Sequence, residues 1–286
     1  MNRRVFLERG LGAVAASAVG CVGYAIGIEP HWLEMVERDL PVENLPTNLA
    51  GARLAHISDI HIGPLVSDDY IVHSLHRVRA LQPEIVVFTG DFLTYRAARR
   101  EAQYAQLRAV LAHLPTGRLA TLGILGNHDY GRGWNDPAVA AKVVVEVERA
   151  GMRILRNETA NVGGLDIVGV DDLWAHRGDP ARALAARTGD AAIALVHNPD
   201  AADELGWPGF RGWMLAGHTH GGQCKPPFLP PPLLPVRNRR YVSGAVAVDA
   251  GRTLYISRGV GHLIRARFLV RPEITLFTLR QASNEH

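Results

Sequence analysis

Short runs of apolar residues recur along the chain, and each has the length of one buried strand. The first five occupy positions 54–57, 85–88, 119–125, 193–196 and 213–216. Between the early runs, the spacing of apolar residues predicts amphipathic helices over 70–81, 97–114 and 138–150. Asp136 and Pro137 supply a cap and a first-turn proline for the last of these helices. This alternation predicts a largely parallel β-sheet that is covered by helices.

Later segments are shorter, alternate apolar with polar positions, and are joined by turns that contain glycine. They cover 153–155, 165–170, 241–248, 253–257 and 274–279. Segments of this kind predict hairpins or a second, more antiparallel sheet.

The first 28 residues form a separate segment. Arg3 and Arg4 stand before Phe6 and Leu7, and an uncharged apolar stretch of 18 residues follows over 11–28. The pattern is typical of an export signal, and the paired arginines resemble a twin-arginine signal, which implies use of the twin-arginine export machinery. The stretch also suffices to span a bilayer. We therefore expect either cleavage near 16–18 or, by preference, a retained membrane anchor, with the protein facing the periplasm or the cell exterior.

Composition and charge narrow the class of protein. With 47% hydrophobic and 21% charged residues, the 286-residue chain is an ordinary folded protein with a sizeable core. Its two cysteines rule out a disulfide framework. Of the formal net charge of +3, +2 lies in the first 28 residues, so the rest lacks the broad basic field of a nucleic-acid-binding protein. We expect a connector over 29–50 and one catalytic domain over 51–282.

Residues of metal-ligand type follow each of the five apolar runs. They are Asp59, His61, Asp91, Asn127, His197, His218 and His220. Because ligands of open α/β sheets bind outside the carboxyl ends of the strands, these side chains are expected to line one crevice. Glycine before Asp91, Asn127 and His218 permits tight turns with close backbone approach.

The types of ligand indicate the kind of metal. Oxygen and imidazole nitrogen without thiolate favour manganese, iron or zinc. Seven ligands are too many for one catalytic ion with open positions, whereas they suit two divalent ions that share one carboxylate.

The blocks Asp-x-His, Gly-Asp, Gly-Asn-His-Asp, His and Gly-His-x-His occur in the order that is typical of the calcineurin-like metallophosphoesterases. The chain resembles that family over about residues 50–280. The resemblance implies an α/β fold, a four-layer α-β-β-α sandwich of two mixed β-sheets flanked by helices.

The same resemblance implies a role for each residue of the site. The first ion would be held by Asp59, His61, Asp91 and His220. The second would be held by Asp91, Asn127, His197 and His218, with Asp91 as the bridge. Two catalytic residues are implied as well: His128 would face the phosphate, and its neighbour Asp129 would orient it.

Segments 217–223, 257–261 and 271–274 resemble a branch of exported or membrane-associated phosphoesterases. Some members of that branch cleave the pyrophosphate of UDP-2,3-diacylglucosamine in lipid A synthesis. The resemblance implies a phosphorylated small molecule or a membrane lipid as substrate. The near-neutral charge of the chain after residue 28 predicts that no nucleic acid is bound. A phosphodiester or pyrophosphate bond would be hydrolysed by a hydroxide that bridges the two ions.

Two other classes of protein remain open at this point. A secreted nucleotidase or nuclease would use the same metal chemistry, and a membrane-tethered protein could bind metal or phospholipid without turnover. The segment 226–235 contains six prolines and is expected to form a rigid loop at the active site, whereas Cys224 has no predicted role. Asp171 and Asp172 could line the crevice or form a turn or cap.

Overall fold

The computed structural model describes residues 17–96 and 100–282. The α-helices are α1 (17–27), α2 (Asp68–Leu81), α3 (Arg100–Leu111), α4 (Pro137–Arg149), α5 (Pro180–Ala185) and α6 (Ala201–Glu204). The strands of the first half are β1 (Glu34–Val42), β2 (Arg53–Ile57), β3 (Ile85–Thr89), β4 (Ala120–Ile124), β5 (Arg153–Ile154) and β6 (Glu158–Val162). Those of the second half are β7 (Leu165–Gly169), β8 (Ala192–Leu195), β9 (Gly212–Ala216), β10 (Gly244–Ala247), β11 (Arg252–Ile256) and β12 (Glu273–Gln281).

The strands form two six-stranded sheets that pack face to face. The first has the order β1-β12-β2-β3-β4-β5 and the second the order β10-β11-β9-β8-β7-β6. In the first sheet β2, β3, β4 and β5 run parallel, and in the second β7, β8, β9 and β11 do. Both sheets also contain antiparallel pairs, so the expected four-layer sandwich of two mixed sheets is confirmed.

The strand β3 illustrates why these apolar runs become central strands. Val86 and Phe88 pack against the helices α2, α3 and α4, whereas Ile85 and Val87 pack against the second sheet. All five residues of β3 are buried because both faces are covered, and the first four form the uninterrupted apolar run that is typical of such a strand.

The predicted helices are confirmed within a few residues at their ends. At the start of α4 the Asp136 carboxylate accepts hydrogen bonds from Ala138 N at 2.9 Å and Val139 N at 3.3 Å, as the predicted cap requires. Residues 97–99 of the third predicted helix lie outside the described residues.

Two predictions about the later strands were incomplete. The strand β7 is not only half of a hairpin with β6, because it also pairs in parallel with β8 at the centre of the second sheet. The strands β5 and β12 belong to the first sheet. Alternation along a segment indicates which face is buried, but it does not determine which neighbour the strand pairs with.

Residues 29–50 contribute more than a connector. Nine of them form β1, which pairs in parallel with β12 at the edge of the first sheet. The predicted twin-arginine motif lies in residues 1–16, outside the described part of the chain. Within 17–96 and 100–282, no helix has both the length and the apolar character to cross a membrane.

Candidate metal centre

The seven predicted metal ligands lie at the carboxyl ends of five strands, where the two sheets meet. Asp59 and His61 follow β2, Asp91 follows β3, Asn127 follows β4, His197 follows β8, and His218 and His220 follow β9. Two hydrogen bonds join the sheets at this place. His197 Nδ1 donates to the carbonyl of Thr89 at 2.7 Å, and His218 N donates to the Asp59 carboxylate at 3.0 Å. The structure therefore brings together residues that are up to 161 positions apart, counted from Asp59 to His220.

The backbone of the ligand turns is strained. Five ligands have a left-handed φ, namely Asp59 (54°), His61 (47°), Asp91 (56°), His218 (71°) and His220 (49°). Residues other than glycine adopt this region at an energetic cost, and such residues cluster at functional sites. Gly90 and Gly217 confirm the predicted close approach, because a Cβ would collide with the backbone of Gly126 at the first position and with Ser58 at the second.

The ligand atoms form two clusters. In each cluster three potential ligand atoms lie within 4.8 Å of one another and all three residues are buried. The first cluster consists of Asp59, His61 and His220, and the second of Asp91, His197 and His218. Asn127 joins the second cluster, because its Oδ1 lies 3.2 Å from His197 Nε2.

Asp91 faces both clusters with one carboxylate oxygen. Its Oδ2 lies 3.4 Å from His61 Nε2 and 3.2 Å from His197 Nε2. Its other oxygen, Oδ1, accepts a hydrogen bond from the backbone N–H of His128 at 2.9 Å. Asp91 is thus placed as a bridging ligand would have to be.

Oxygen atoms outside the clusters bind the second ring nitrogen of three histidines. The partner of His197 Nδ1 is the Thr89 carbonyl, that of His218 Nε2 is the Pro235 carbonyl at 2.9 Å, and that of His61 Nδ1 is the Thr94 hydroxyl at 3.1 Å. A proton on each of these nitrogens leaves the lone pair of the other nitrogen directed into the cluster, as metal ligation requires. The Pro235 contact also gives the proline-rich segment a role in positioning His218.

The electrostatic state of the histidines suits a cation. Burial lowers the pKa of His61 and His218 to about 3 and that of His220 well below its usual value. These rings are neutral and can offer lone pairs. Burial opposes the charged form of His197, but the charge and hydrogen bond of Asp91 and the charges of Asp59 and Asp172 together outweigh it and raise the pKa of His197 well above the usual range. The same negative charge would stabilise a metal ion in place of the proton. The donor set and its protonation states therefore fit two divalent cations.

Asp129 supports the turn that carries Asp91. Its carboxylate accepts hydrogen bonds from the backbone N–H groups of Asp91 and Gly126, each at 2.9 Å, and from those of Phe92 and Leu93 at 2.9 and 3.3 Å. These hydrogen bonds show that Asp129 stabilises the turn that carries Asp91. Its role in orienting His128 stays a prediction.

His128 and two tryptophans stand beside the clusters. The His128 ring lies 5.2 Å from the His61 ring and 6.2 Å from the Trp134 ring, measured between centroids. Trp134 stacks on Trp174 at 4.7 Å, and Trp174 contacts the His218 ring edge-on at 4.4 Å. The two tryptophans were not predicted, because they lie far apart in sequence and belong to no motif.

Arg267 and Asp172 are further buried groups near the ligands. The guanidinium of Arg267 donates to the carbonyls of Arg258 and Gly261 at 2.8 and 2.6 Å, and its Nη2 lies 3.4 Å from His220 Nδ1. It therefore fixes the turn behind the first cluster. Asp172 Oδ1 accepts a hydrogen bond from Ala175 N at 2.7 Å, which matches the turn or cap, one of the two roles considered for it, and burial raises the pKa of Asp172 to about 7. No spacing in the sequence distinguishes Arg267 from a surface arginine.

Comparison with known proteins accounts for this arrangement. A family model described as calcineurin-like phosphoesterase matches residues 52–222. The chain belongs to this family. The protein is therefore a metallophosphoesterase, a class of hydrolase, and the two clusters form its candidate metal site.

Three relatives align with nearly the whole chain. The uncharacterized metallophosphoesterase YkuE of Bacillus subtilis (strain 168) is 32% identical over 99% of this chain and 99% of its own length. The phosphodiesterase YaeI of Escherichia coli (strain K12) is 28% identical over 98% of this chain and 99% of its own. The UDP-2,3-diacylglucosamine pyrophosphatase LpxG of Chlamydia trachomatis (serovar D) is 25% identical over 95% of this chain and 97% of its own.

Proposed function

We propose that this metallophosphoesterase uses two divalent metal ions to hydrolyse a phosphodiester or pyrophosphate bond of a lipid substrate at the outer side of the cytoplasmic membrane. The observation that carries the proposal is the position of Asp91 between the two ligand clusters, within 3.4 Å of His61 and 3.2 Å of His197. A single shared carboxylate is the arrangement in which two ions act together on one phosphoryl group.

Each group of the site has a part in the proposed reaction. Asp59, His61 and His220 would hold one ion, and Asn127, His197 and His218 the other, with Asp91 common to both. The bound ions, manganese, iron or zinc, would supply the Lewis acidity that phosphoester hydrolysis needs. His128 lies beside the first cluster, where it would donate a proton to the leaving oxygen or a hydrogen bond to the phosphoryl oxygens.

Exposed apolar side chains on α1 support the membrane location, and the name of one relative supports the lipid substrate. The side chains of Val19, Val22 and Ile26 on α1 are exposed, as is usual for a helix that contacts lipid. The relative LpxG is named for a pyrophosphatase activity on UDP-2,3-diacylglucosamine. Export by the twin-arginine machinery and anchoring through the N-terminal segment are parts of the same proposal.

The first experiment measures hydrolysis of a chromogenic bis-aryl phosphate by the purified full-length chain with added manganese, and elemental analysis counts the ions. We expect turnover and two ions per chain. A protein that binds two ions and gives no turnover would contradict the proposal and support a metal- or phospholipid-binding protein. A tagged copy recovered entirely in the soluble cytosol would contradict the membrane location.

A nucleotidase is the second candidate, and the tryptophan pair favours it. Trp134 is partly exposed beside His128, where a nucleobase could stack on it. The comparison of kcat/KM for nucleoside monophosphates, UDP-sugars and a phospholipid distinguishes the two functions. A preference for water-soluble nucleotides over every lipid would establish the nucleotidase.

A further inference from the structure

A groove with a volume of about 350 Å³ has the metal ligands His218 and His220 in its wall. The remaining wall is mostly carbon, contributed by Cys224, Pro232, Leu233, Leu234, Leu263 and Ile264. Within residues 17–96 and 100–282, no acidic, lysine or arginine side chain lines it. A polar molecule in this groove would lose hydrogen bonds to water without replacement, whereas a hydrocarbon would not.

The walls of the groove are held in place by side chains that bind backbone atoms. Gln223 Nε2 donates to the carbonyl of Ile264 at 2.9 Å, and its Oε1 accepts from Leu263 N at 3.0 Å. On the other side, Arg239 donates to the carbonyls of Leu234 and Pro231 at 3.1 and 3.0 Å. The groove is therefore formed before any ligand binds, as is usual for small-molecule sites.

The open side of the groove continues into an exposed apolar surface. Leu233 and Ile264 line the groove and are 64% and 55% exposed, and Phe228, Leu229 and Leu269 nearby in sequence are exposed as well. The helix α1 is attached to the same segment, because Arg267 N donates to the Ala25 carbonyl at 2.8 Å and the Tyr24 ring contacts that of Phe268. The helix α1 is therefore joined to the segment 264–269, whose first residue, Ile264, lines the groove.

We propose that this groove binds one hydrocarbon chain of the lipid substrate, with Leu233 and Ile264 at its entrance. The inference rests on the proposed function, because a molecule that reaches both the groove and the ligands His218 and His220 must carry its phosphoryl group next to its apolar part. The groove would determine the substrate class by burying methylene groups, each of which contributes binding free energy in proportion to the area removed from water.

The test uses p-nitrophenyl n-alkyl phosphodiesters with methyl, butyl, hexyl and octyl chains, below their critical micelle concentrations. All have the same reacting bond and differ only in hydrocarbon length. With the manganese-loaded full-length chain, we expect kcat/KM to rise up to about fourfold for each methylene that enters the groove. Hydrolysis of the whole series at one rate would overturn the groove assignment and leave the phosphoesterase intact.

Substitutions at the groove entrance test whether the dependence of kcat/KM on chain length arises in the groove. Leu233→Asn and Ile264→Asn place an amide at the entrance, and each should flatten the dependence of kcat/KM on chain length. Leu119→Asn is the matched control, because Leu119 is also 55% exposed and does not line the groove. An unchanged dependence in both groove variants would place the hydrocarbon elsewhere and overturn the inference. If no ester of the series is hydrolysed, not even the methyl ester, the proposed function fails and the inference fails with it.

Discussion

The floor and the rim of the metal centre are built in different ways. The floor consists of the seven predicted ligands at the strand ends, all of them buried, with turns that are fixed by backbone contacts such as those of Asp129. The rim consists of Trp134, Trp174 and the loop 226–235, in which Phe228 is fully exposed. The floor has buried side chains in fixed positions, which metal binding requires. The rim has the aromatic and loop residues that a substrate would contact. The difference indicates that reaction type and substrate preference are encoded in separate parts of the chain.

The largest expected effect is that of removing the shared ligand of the floor. Asp91→Ala removes the carboxylate that both clusters share, so we expect both ions to be lost. Loss of a residue that only supports a ligand lowers activity up to about 100-fold, and we expect turnover to fall by more than that. Elemental analysis and hydrolysis of a bis-aryl phosphate measure the two effects. Asp39→Ala removes an exposed carboxylate on β1 and serves as the control. Retention of two ions by Asp91→Ala would show that the clusters share no ligand.

His128 stands between floor and rim. His128→Ala should keep both ions, because the ring belongs to neither cluster, and should lower kcat about 10²- to 10⁴-fold through loss of proton donation. Metal content and kcat are measured on the same sample. Loss of the ions with the fold retained would make His128 a ligand.

Removal of a side chain that hydrogen-bonds to a predicted ligand of the floor should have an intermediate effect on metal binding. Thr94→Val removes the hydroxyl that pairs with His61 Nδ1, and affinity for the ion of the first cluster should fall about 10- to 100-fold. Titration of the metal-free protein with manganese measures this affinity, and Thr47→Val at an exposed position is the control. Unchanged affinity would mean that the hydroxyl does not orient the ring.

Acid should weaken metal binding at the floor. Burial raises the pKa of Asp59 to about 6 in the metal-free protein. The cation needs the carboxylate form, so below about pH 6 binding must displace a proton, and affinity should fall by up to about tenfold per pH unit for that proton. Above this pH the Asp59 contribution is constant. Metal titrations at pH 5, 6 and 7 measure the trend, and tighter binding in acid would contradict it.

The smallest effect is expected at the rim. Trp134→Ala removes a stacked ring without touching a ligand, so the ions should remain. If substrates with a planar group contact this ring, their KM should rise by the factor that corresponds to about 0.5–1.5 kcal/mol. Trp32→Ala, at an exposed tryptophan on Arg271, is the control. An effect of Trp134→Ala on metal content would remove the distinction between floor and rim.

The floor could be predicted from the sequence because its signals are local. Each ligand follows an apolar run that is long enough for one strand, and glycine marks the turns before Asp91, Asn127 and His218. Parallel strands of one sheet bring their carboxyl ends to one edge, which accounts for the proximity of the ligands after β2, β3 and β4 and, separately, of those after β8 and β9. The packing of the two sheets brings these two sets together. The turn role of Asp172 was predictable for the same reason, since a cap depends on neighbouring residues.

The contacts of the rim could not be predicted because they are long-range, although the proline-rich segment 226–235 was expected to form a loop at the active site. Trp134 and Trp174 are 40 positions apart in sequence and stack on each other. Pro235 contacts His218 through its backbone carbonyl, and because every residue has such a carbonyl, the residue type does not predict this contact. Arg267 likewise differs from its exposed neighbour Arg265 only in its burial. The assignment of β1 and β12 to the first sheet has the same origin, because pairing depends on partners and not on the strand itself.

The amino-acid sequence by itself determined the alternation of strands and helices, the residues at the strand ends, and thereby the class of chemistry. These properties depend on periodicity and on neighbouring residues, which a linear chain contains in full. Only the tertiary structure decided which nitrogen of each histidine faces the ligand clusters, which aromatic rings lie beside these clusters, and where an apolar groove opens. Those features arise from packing between distant segments, and the free energy of such contacts depends on geometry that no single segment specifies.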